Sequence, residues 1–211
     1  MKDKNSQNGL QTVLVMVLAF IAGFIIMAIE LLGGRILAPY FGSSIYVWGS
    51  IITVFMLSLS IGYLMGGKLS LLNPNLKIYG GFFAGAALLL LPLILWSNEL
   101  MEFLFLQIED PRYGSLVVSM MLFFLPTAVM GMIAPYSVRL MVQSTHGSGH
   151  VAGKLYFVST LGSALGTLAT SFYLVLWFTV NQILFTMVAT LLCAGIAAIM
   201  AGVKSADADA S

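Results

Sequence analysis

The stretch QTVLVMVLAFIAGFIIMAIELLGGRILA, from Gln11 to Ala38, decides the fold class. Only Glu30 and Arg35 carry charge within it. An α-helix rises 1.5 Å per residue, so about 20 residues cross the hydrocarbon core of a bilayer. The stretch is longer than the apolar part of a signal peptide and contains no small-x-small cleavage site. It therefore predicts a first transmembrane helix that is retained in the protein.

The composition extends this prediction to the whole chain. Of the 211 residues, 60% are hydrophobic and only 8% are charged, and the mean hydropathy is +1.01. Soluble globular domains carry about 25% charged residues, so the sequence predicts an all-α integral membrane protein whose surface contacts the lipid bilayer. A net charge of +1 without a basic cluster gives no reason to expect a nucleic-acid partner. The single cysteine, Cys193, cannot form a disulfide within the chain.

Six apolar runs are long enough to span the membrane. They are Gln11–Ala38, Ser44–Leu72, Tyr79–Trp96, Tyr113–Val142, Gly153–Thr179 and Asn181–Val203. The sequence thus predicts a six-helix transmembrane domain over residues 11–203, flanked by tails at 1–10 and 204–211. The segment from Glu99 to Asp110 leaves two interpretations open: an interfacial amphipathic helix or an extension of the third span.

The positive charges predict the orientation. With the N terminus inside, the inner side receives Lys2, Lys4, Lys68, Lys77, Arg139, Lys154 and Lys204, and the outer side only Arg35 and Arg112. Cytoplasmic loops of membrane proteins carry the excess of Lys and Arg. We therefore expect a multi-pass protein of the bacterial inner membrane with both termini in the cytoplasm.

Two motif pairs indicate an internal repeat. The segment ILAPY at Ile36–Tyr40 resembles MIAPY at Met132–Tyr136, and SIGYLMG at Ser60–Gly66 resembles TLGSALG at Thr160–Gly166. Halves of three spans each, about 11–98 and 113–203, would have opposite orientations in the membrane. Inverted three-plus-three repeats occur in secondary transporters, including each half of a major-facilitator protein. The sequence therefore predicts an architecture like half of such a transporter.

Small residues recur at four-residue spacing in three of the spans. Small residues at this spacing allow helix backbones to approach closely in lipid. We expect helix packing at Gly62, Gly66, Gly81, Gly85, Gly162 and Gly166. Because six helices make half of a twelve-helix transporter, we also expect a homodimer packed partly through Gly81 and Gly85, although the same face is suited to packing inside one subunit.

Ionisable and aromatic residues mark the candidate substrate or ion site. An intramembrane carboxylate such as Glu30 either forms an ion pair between helices or provides a cation or proton site. Arg35 is either part of that site or an anchor that reaches the outer headgroups. Aromatic residues near the helix ends belong either to the interfacial belt or to a wall for an organic cation. The full set of candidates is Glu30, Arg35, Tyr40, Tyr46, Trp48, Tyr136, Arg139 and Tyr156.

The sequence contains no group of residues with the spacing of a catalytic or metal site. His146 and His150 are flanked by Gly and Ser, which predicts a solvated loop and not a metal site. We find no Ser–His–Asp set, cysteine cluster or phosphate-binding glycine loop in the sequence. We therefore expect no catalytic residues, metal or cofactor.

Two segments resemble a known family. ELLGGRILAPYFGSSIYVWG at Glu30–Gly49 and GKLYFVSTLGSALG at Gly153–Gly166 resemble the membrane domain of bacterial fused major-facilitator/spermidine-synthase-like proteins. Val158-Ser159-Thr160 departs from the small-Asn-Thr run that is more usual there. Members of the family commonly continue into a cytosolic aminopropyltransferase domain, whereas this chain ends at Ser211.

The inverted repeat, Glu30 with its neighbouring aromatic residues, and the resemblance together leave two functions open. One is a transporter-like protein for a small cationic solute such as a polyamine. The other is a non-catalytic anchor or regulatory module for a separate soluble aminopropyltransferase. Because the catalytic domain of the family is missing from this sequence, we do not expect the chain to be an enzyme.

Overall fold

A computed structural model describes residues 2–108, 110–142 and 148–210, with side chains from residue 9 to residue 203 within those ranges. The described residues form helices and connecting turns and contain no strand. The helices are α1 (Lys2–Phe41), α2 (Ile45–Leu69), α3 (Leu76–Gln107), α4 (Pro111–Gly131), α5 (Ile133–Met141), α6 (Ser148–Ala169), a π-helical turn (Thr170–Leu174), α7 (Val175–Trp177) and α8 (Val180–Ala210).

Six helical stretches are long and apolar enough to cross a membrane, which confirms the predicted number of spans. They are Gly9–Phe41, Ile45–Leu69, Leu76–Gln107, Pro111–Met141, Ser148–Trp177 and Val180–Val203. Thus α4 with α5 forms the fourth span, and α6, the π-helical turn and α7 form the fifth. The chain is a multi-pass membrane protein. His150 belongs to the first turn of α6 and not to a loop, while His146 lies outside the described residues.

The first span is longer than its sequence predicts. Helix α1 continues through Pro39 to Phe41 and ends where Gly42 adopts a φ of 76°. The Gly42 N–H donates to the Ala38 carbonyl oxygen at 2.9 Å. Glycine takes this left-handed conformation without steric cost, so Gly42 closes the helix. The first span therefore ends three residues, almost one helical turn, beyond the predicted end at Ala38.

The segment after Trp96 extends the third span. Helix α3 runs without interruption to Gln107, so the extension is correct and the separate interfacial helix is not; Glu109 lies outside the described residues. Helix α3 begins at the cap residue Asn75, whose side chain accepts a hydrogen bond from the Ile78 N–H at 2.9 Å. Asp110 caps α4 in the same way by accepting from the Arg112 N–H at 2.9 Å.

Three helix pairs pack most extensively: α1 with α6, α2 with α4, and α3 with α8. Glycines allow each close approach. A Cβ atom on Gly62 would lie 2.2 Å from the Ala128 carbonyl oxygen, and one on Gly162 would lie 2.3 Å from the Phe20 carbonyl oxygen. Gly66 and Gly166 meet the backbones of Met132 and Phe24 equally closely. These four glycines therefore lie at helix crossings, where no larger side chain fits.

The third crossing uses a different glycine from the predicted one. A Cβ atom on Gly80 would lie 2.5 Å from the Gly195 carbonyl oxygen, whereas one on Gly81 would meet no atom within 4 Å. One on Gly85 would make only an ordinary contact with Val129, at 3.8 Å. Within one chain, α3 thus packs against α8 through Gly80 and not through the adjacent Gly81. Packing of Gly81 against a second copy remains a prediction.

Candidate functional site

Glu30 lies on the interior face of α1. Gly23, Glu30 and Leu37 recur at seven-residue spacing and therefore share one side of the helix. Gly23 approaches α6, where a Cβ atom would lie 2.2 Å from the Ser159 carbonyl oxygen, and Leu37 is fully buried. One turn beyond Glu30, Gly33 packs against α4 and Gly34 against α2. The side of α1 that carries Glu30 thus faces other helices and not lipid alone.

Glu30 has no partner of opposite charge. Its side chain is half-buried, and among the described residues none forms an ion pair or hydrogen bond with it. Ionised groups are costly to remove from water unless they are paired or bound to an ion. The predicted alternative of an ion pair between helices therefore finds no partner in the described part of the chain.

Arg35 contacts the fifth span and not Glu30. It is exposed, and its Nη1 donates to the Val175 carbonyl oxygen at 3.4 Å, near the C-terminal end of the fifth span. We call this end of the bundle the outer end and the opposite end the inner end, after the orientation that the positive charges predict. Five residues separate Arg35 from Glu30, which is not a spacing that brings side chains together on a helix. The structure therefore does not unite the two charges of α1 in one ion pair.

The three aromatic candidates at the outer end have separate neighbours. Trp48 packs on Gly34, where a Cβ atom would lie 2.6 Å from the indole ring. Tyr46 lies beneath the Arg112 guanidinium, 5.6 Å from carbon to ring centroid, and Tyr40 packs edge-on against Phe105 at 6.2 Å. The cation already next to Tyr46 belongs to the chain itself.

Tyr136 is part of a buried polar cluster at the inner end. It is fully buried, and its hydroxyl accepts a hydrogen bond from the Asn75 N–H at 3.1 Å. Its ring stacks on Tyr79 at 6.1 Å, and the Tyr79 hydroxyl bonds the Ser137 hydroxyl at 2.7 Å. This arrangement fastens the start of α3 to α5. Arg139, on the same helix, is exposed.

A cavity of about 170 Å³ lies among α1, α2, α4, α5 and α6. Four of its lining residues have polar side chains: Tyr63, Tyr156, Ser159 and Ser163. The Ser163 hydroxyl donates to the Gly23 carbonyl oxygen at 3.2 Å, which ties this wall to α1. The α1 wall of the cavity includes Gly23, Ile26 and Met27, on the face that Glu30 continues one turn further out. Of the predicted site residues, only Tyr156 lines this space.

The fifth span departs from α-helical geometry near the depth of Glu30. In the π-helical turn the Val175 N–H donates to the Thr170 carbonyl oxygen, five residues back. Thr170 is 1% exposed, and its hydroxyl has no hydrogen-bond partner among the described residues. Single π-turns are frequent at functional sites.

Glu30 and Thr170 lie at the same depth. Phe24 meets Gly166, and Arg35 meets Val175, so the stretch of α1 between those contacts faces the stretch that contains Thr170. On the other side, Gly33 packs on the Phe123 ring of α4.

Glu30 on α1 and Thr127 on α4 each lie about one helical turn from the Gly33–Phe123 contact, toward the inner end of the bundle. The Thr127 side chain is fully buried, and its hydroxyl finds no partner in the described ranges. Two unpartnered hydroxyls thus flank the level of the carboxylate.

A second, larger space opens on the side of the molecule. It has a volume of about 430 Å³ and lies between α1, the outer end of the fifth span and α8. Apolar side chains such as Phe20, Phe24, Phe178 and Met187 form most of its wall, and Gln182 lies at its outer end. No charged residue lines it.

The comparisons with known proteins identify no relative. No family model, curated protein or solved structure matches the chain. The resemblance to the membrane domain of fused major-facilitator/spermidine-synthase-like proteins therefore stays a hypothesis based on two sequence segments. Within the described ranges, no group of His, Cys, Asp and Glu has the arrangement of a metal site.

Sequence reasoning missed the hydroxyl-bearing residues of the fifth span. Ser159, Ser163 and Thr170 lie on the face of that span that meets α1, beside the close contacts of Gly162 and Gly166. Their spacing of four and seven residues was a readable signal, because such residues share a helix face. The π-helical turn has no signature in the sequence and could not be predicted.

Proposed function

We propose that the protein is a transporter-like carrier for a small cation, in which Glu30 supplies the negative charge that the cation meets inside the membrane. The observation that carries the proposal is the unpaired Glu30 carboxylate on the interior face of α1, one helical turn from Ile26 and Met27 in the lining of the cavity. Ionisable residues within spans commonly mark substrate, ion or proton pathways. A carboxylate favours a cation over an anion or a neutral solute.

The cavity supports a small organic cation as the solute. A volume of about 170 Å³ is below the roughly 300–1,000 Å³ of pockets for drug-sized ligands, which favours a short aliphatic amine over a large substrate. The rings of Tyr63 and Tyr156 at this cavity offer cation–π contacts, and Ser159 and Ser163 offer oxygen atoms. A polyamine or a diamine meets these requirements.

The helix pairing supports an inverted repeat of the kind found in half of a major-facilitator protein. If spans 1, 2 and 3 correspond to spans 4, 5 and 6, the pairing of α2 with α4 corresponds to that of α6 with α1. Both crossings use two glycines four residues apart against backbone carbonyl groups.

The registers of the two crossings differ. The motif alignment makes Leu32 and Ile36 the counterparts of Ala128 and Met132, whereas Gly162 and Gly166 contact Phe20 and Phe24. The proposed repeat therefore covers the order of the helices and the use of glycine pairs at their crossings. It does not extend to the residues that those glycines contact.

Uptake into proteoliposomes tests the proposal. Proteoliposomes that contain the purified protein should accumulate more radiolabelled putrescine or spermidine than liposomes without protein. The change Glu30→Gln, which retains the side-chain shape, should abolish this uptake. Glu99→Gln is the matched control, because Glu99 is exposed near the outer end of α3 and lines neither cavity. The control should transport like the wild type.

Thermal melts of the same proteins separate function from structure. Because Glu30 has no ion-pair partner in the described part of the chain, Glu30→Gln should melt at or above the wild-type temperature without ligand. A large decrease in its melting temperature would assign Glu30 a structural role. Absence of wild-type uptake across a panel of small amines and inorganic cations would refute the transport proposal.

A further inference from the structure

We infer that the carboxylate of Glu30 and the hydroxyl of Thr170 form a binding site for a dehydrated monovalent inorganic cation of the size of Na⁺. The inference rests on the proposed function and names the ion that accompanies the solute. The two residues lie at one depth, because the contacts of Phe24 with Gly166 and of Arg35 with Val175 bracket them.

The Thr170 hydroxyl lacks a hydrogen bond that its own helix could have provided. Hydroxyls within helices commonly donate to the carbonyl oxygen four residues back. In this chain Ser60, Ser137, Thr167, Thr186 and Thr190 all do so, at 2.7–3.0 Å. Thr170 is 1% exposed and yet makes no such bond among the described residues. A buried oxygen that forgoes its helical partner is available to a ligand.

The backbone beside Thr170 is suited to the same ligand. The π-helical turn Thr170–Leu174 moves carbonyl oxygens out of the α-helical hydrogen-bond pattern. In transporters, carbonyl oxygens at helix interruptions coordinate Na⁺, and a carbonyl oxygen that accepts one hydrogen bond keeps a second lone pair for such an ion. Thr127, on α4 at the same depth, adds a second buried hydroxyl with no partner in the described ranges.

The chemistry of these groups selects the class of ion. Carboxylate, hydroxyl and carbonyl oxygens are hard ligands and prefer hard cations. Glu30 is the only acidic residue of α1 from Gly9 to Phe41, so one negative charge balances a monovalent ion better than a divalent one. The solute cavity does not include Glu30 or Thr170 in its lining, which favours a bare ion over an extended amine at this level.

Thermal melts in defined salts test the site. At constant ionic strength in nanodiscs, replacing K⁺ by Na⁺ should raise the melting temperature of the wild type by several degrees, because a ligand that binds only the folded state stabilises it. Thr170→Val, which keeps the shape and removes the hydroxyl, should lose most of this shift. Thr170→Ser should retain it.

Thr167→Val is the matched control. Its hydroxyl already donates to the Ser163 carbonyl oxygen at 3.0 Å, so its loss should leave the Na⁺ shift intact. In K⁺ alone, Thr170→Val should melt no lower than the wild type, because it removes an unpartnered buried hydroxyl. A lower melting temperature in K⁺ would make Thr170 a structural residue and overturn the inference.

Two further results would overturn it. Equal wild-type melting temperatures in Na⁺ and K⁺ would exclude a selective site, and a shift produced by acid alone would assign a proton to Glu30. Solute uptake in the same preparation keeps the two proposals apart. Uptake that persists without Na⁺, together with an unchanged melting temperature in Na⁺, would refute the ion site and leave the transport function standing. A melting-temperature shift in Na⁺ without any solute uptake would support the ion site and refute the transport function.

Discussion

Glu30 and Arg35 illustrate how two charges in one apolar helix are accommodated differently. Arg35 is exposed at the outer end and donates to a backbone carbonyl oxygen of the fifth span. Glu30 lies about one and a half helical turns deeper, half-buried and without an ion-pair partner among the described residues. A long arginine side chain reaches the interface from within a span, whereas a glutamate is too short to do so. The deeper charge is thus the one for which we propose a ligand.

Tyr136, which the sequence predicts as a site residue, is buried in the packing at the inner end. We expect Tyr136→Phe to reduce the free energy of unfolding by about 1 kcal/mol, because it removes the acceptor of the Asn75 N–H. Thermal melts in nanodiscs measure this loss. Tyr113→Phe is the control, since Tyr113 is 64% exposed, and it should melt like the wild type. If Tyr136→Phe altered uptake and left the melt unchanged, Tyr136 would act as a gate.

At the scale of the helices, glycines determine which faces meet. We expect Gly62→Ala and Gly162→Ala to destabilise the protein by about 1–3 kcal/mol each, the usual range for overpacking, because the new methyl group would lie within 2.3 Å of a backbone carbonyl oxygen. Gly81→Ala meets no atom within 4 Å and should be neutral or slightly stabilising, since alanine is the better helix former. Thermal melts of the three variants measure the difference. Equal effects at Gly62 and Gly81 would contradict the packing described here.

The cap of α4 gives the chain a pH-dependent contact outside the spans. Hydrogen bonds from the Arg112 side chain and backbone to the carboxylate lower the pKa of Asp110 below its ordinary value. A lowered folded-state pKa means that the stabilisation is complete above the unfolded-state pKa, about 3.9, and is lost as the pH falls through the folded-state value.

The change Asp110→Asn tests this contact, because asparagine retains a capping oxygen and removes the charge. We expect the wild type to be more stable than this variant at pH 6 and the difference to shrink as the pH falls below about 4. Melting temperatures of both proteins from pH 6 to pH 3 provide the measurement. A difference that stayed constant over this range would show that the carboxylate charge contributes nothing to the cap.

Sequence periodicity predicted the number of spans but not all of their contacts. The apolar runs are long and separated by Pro39–Ser44 and Asn73–Asn75, so the helices and most of their ends could be located. In α3, however, small residues follow one another at positions 80, 81, 84 and 85, and two adjacent faces therefore fit the same pattern. Only the partner helix decides between them, and Gly195 of α8 meets Gly80.

At the scale of the whole molecule, the candidate site depends on which spans pack together. Glu30 was readable as an unusual charge, but its neighbours Thr127 and Thr170 lie 97 and 140 positions away in the chain. No local pattern connects residues at such separations, because helix packing determines their depth. The expectations of a soluble aminopropyltransferase partner and of a homodimer through Gly81 likewise stay predictions, the first resting on the resemblance alone.

The distribution of charge over the bundle predicts its orientation in the membrane. The spans alternate in direction, so the exposed Lys68, Lys77, Arg139 and Lys154 all lie at one end of the bundle, opposite Arg35 and Arg112. The end richer in Lys and Arg faces the cytoplasm. A reporter enzyme that is active only outside the cytoplasm should therefore be silent when fused after Ser211 and active when inserted after Gln107, between α3 and α4. A reporter that works only inside the cytoplasm should give the opposite pattern at the same two sites. Activity of the first reporter at Ser211 would reverse the orientation and place the polar cavity, which lies inward of Glu30, on the outer side.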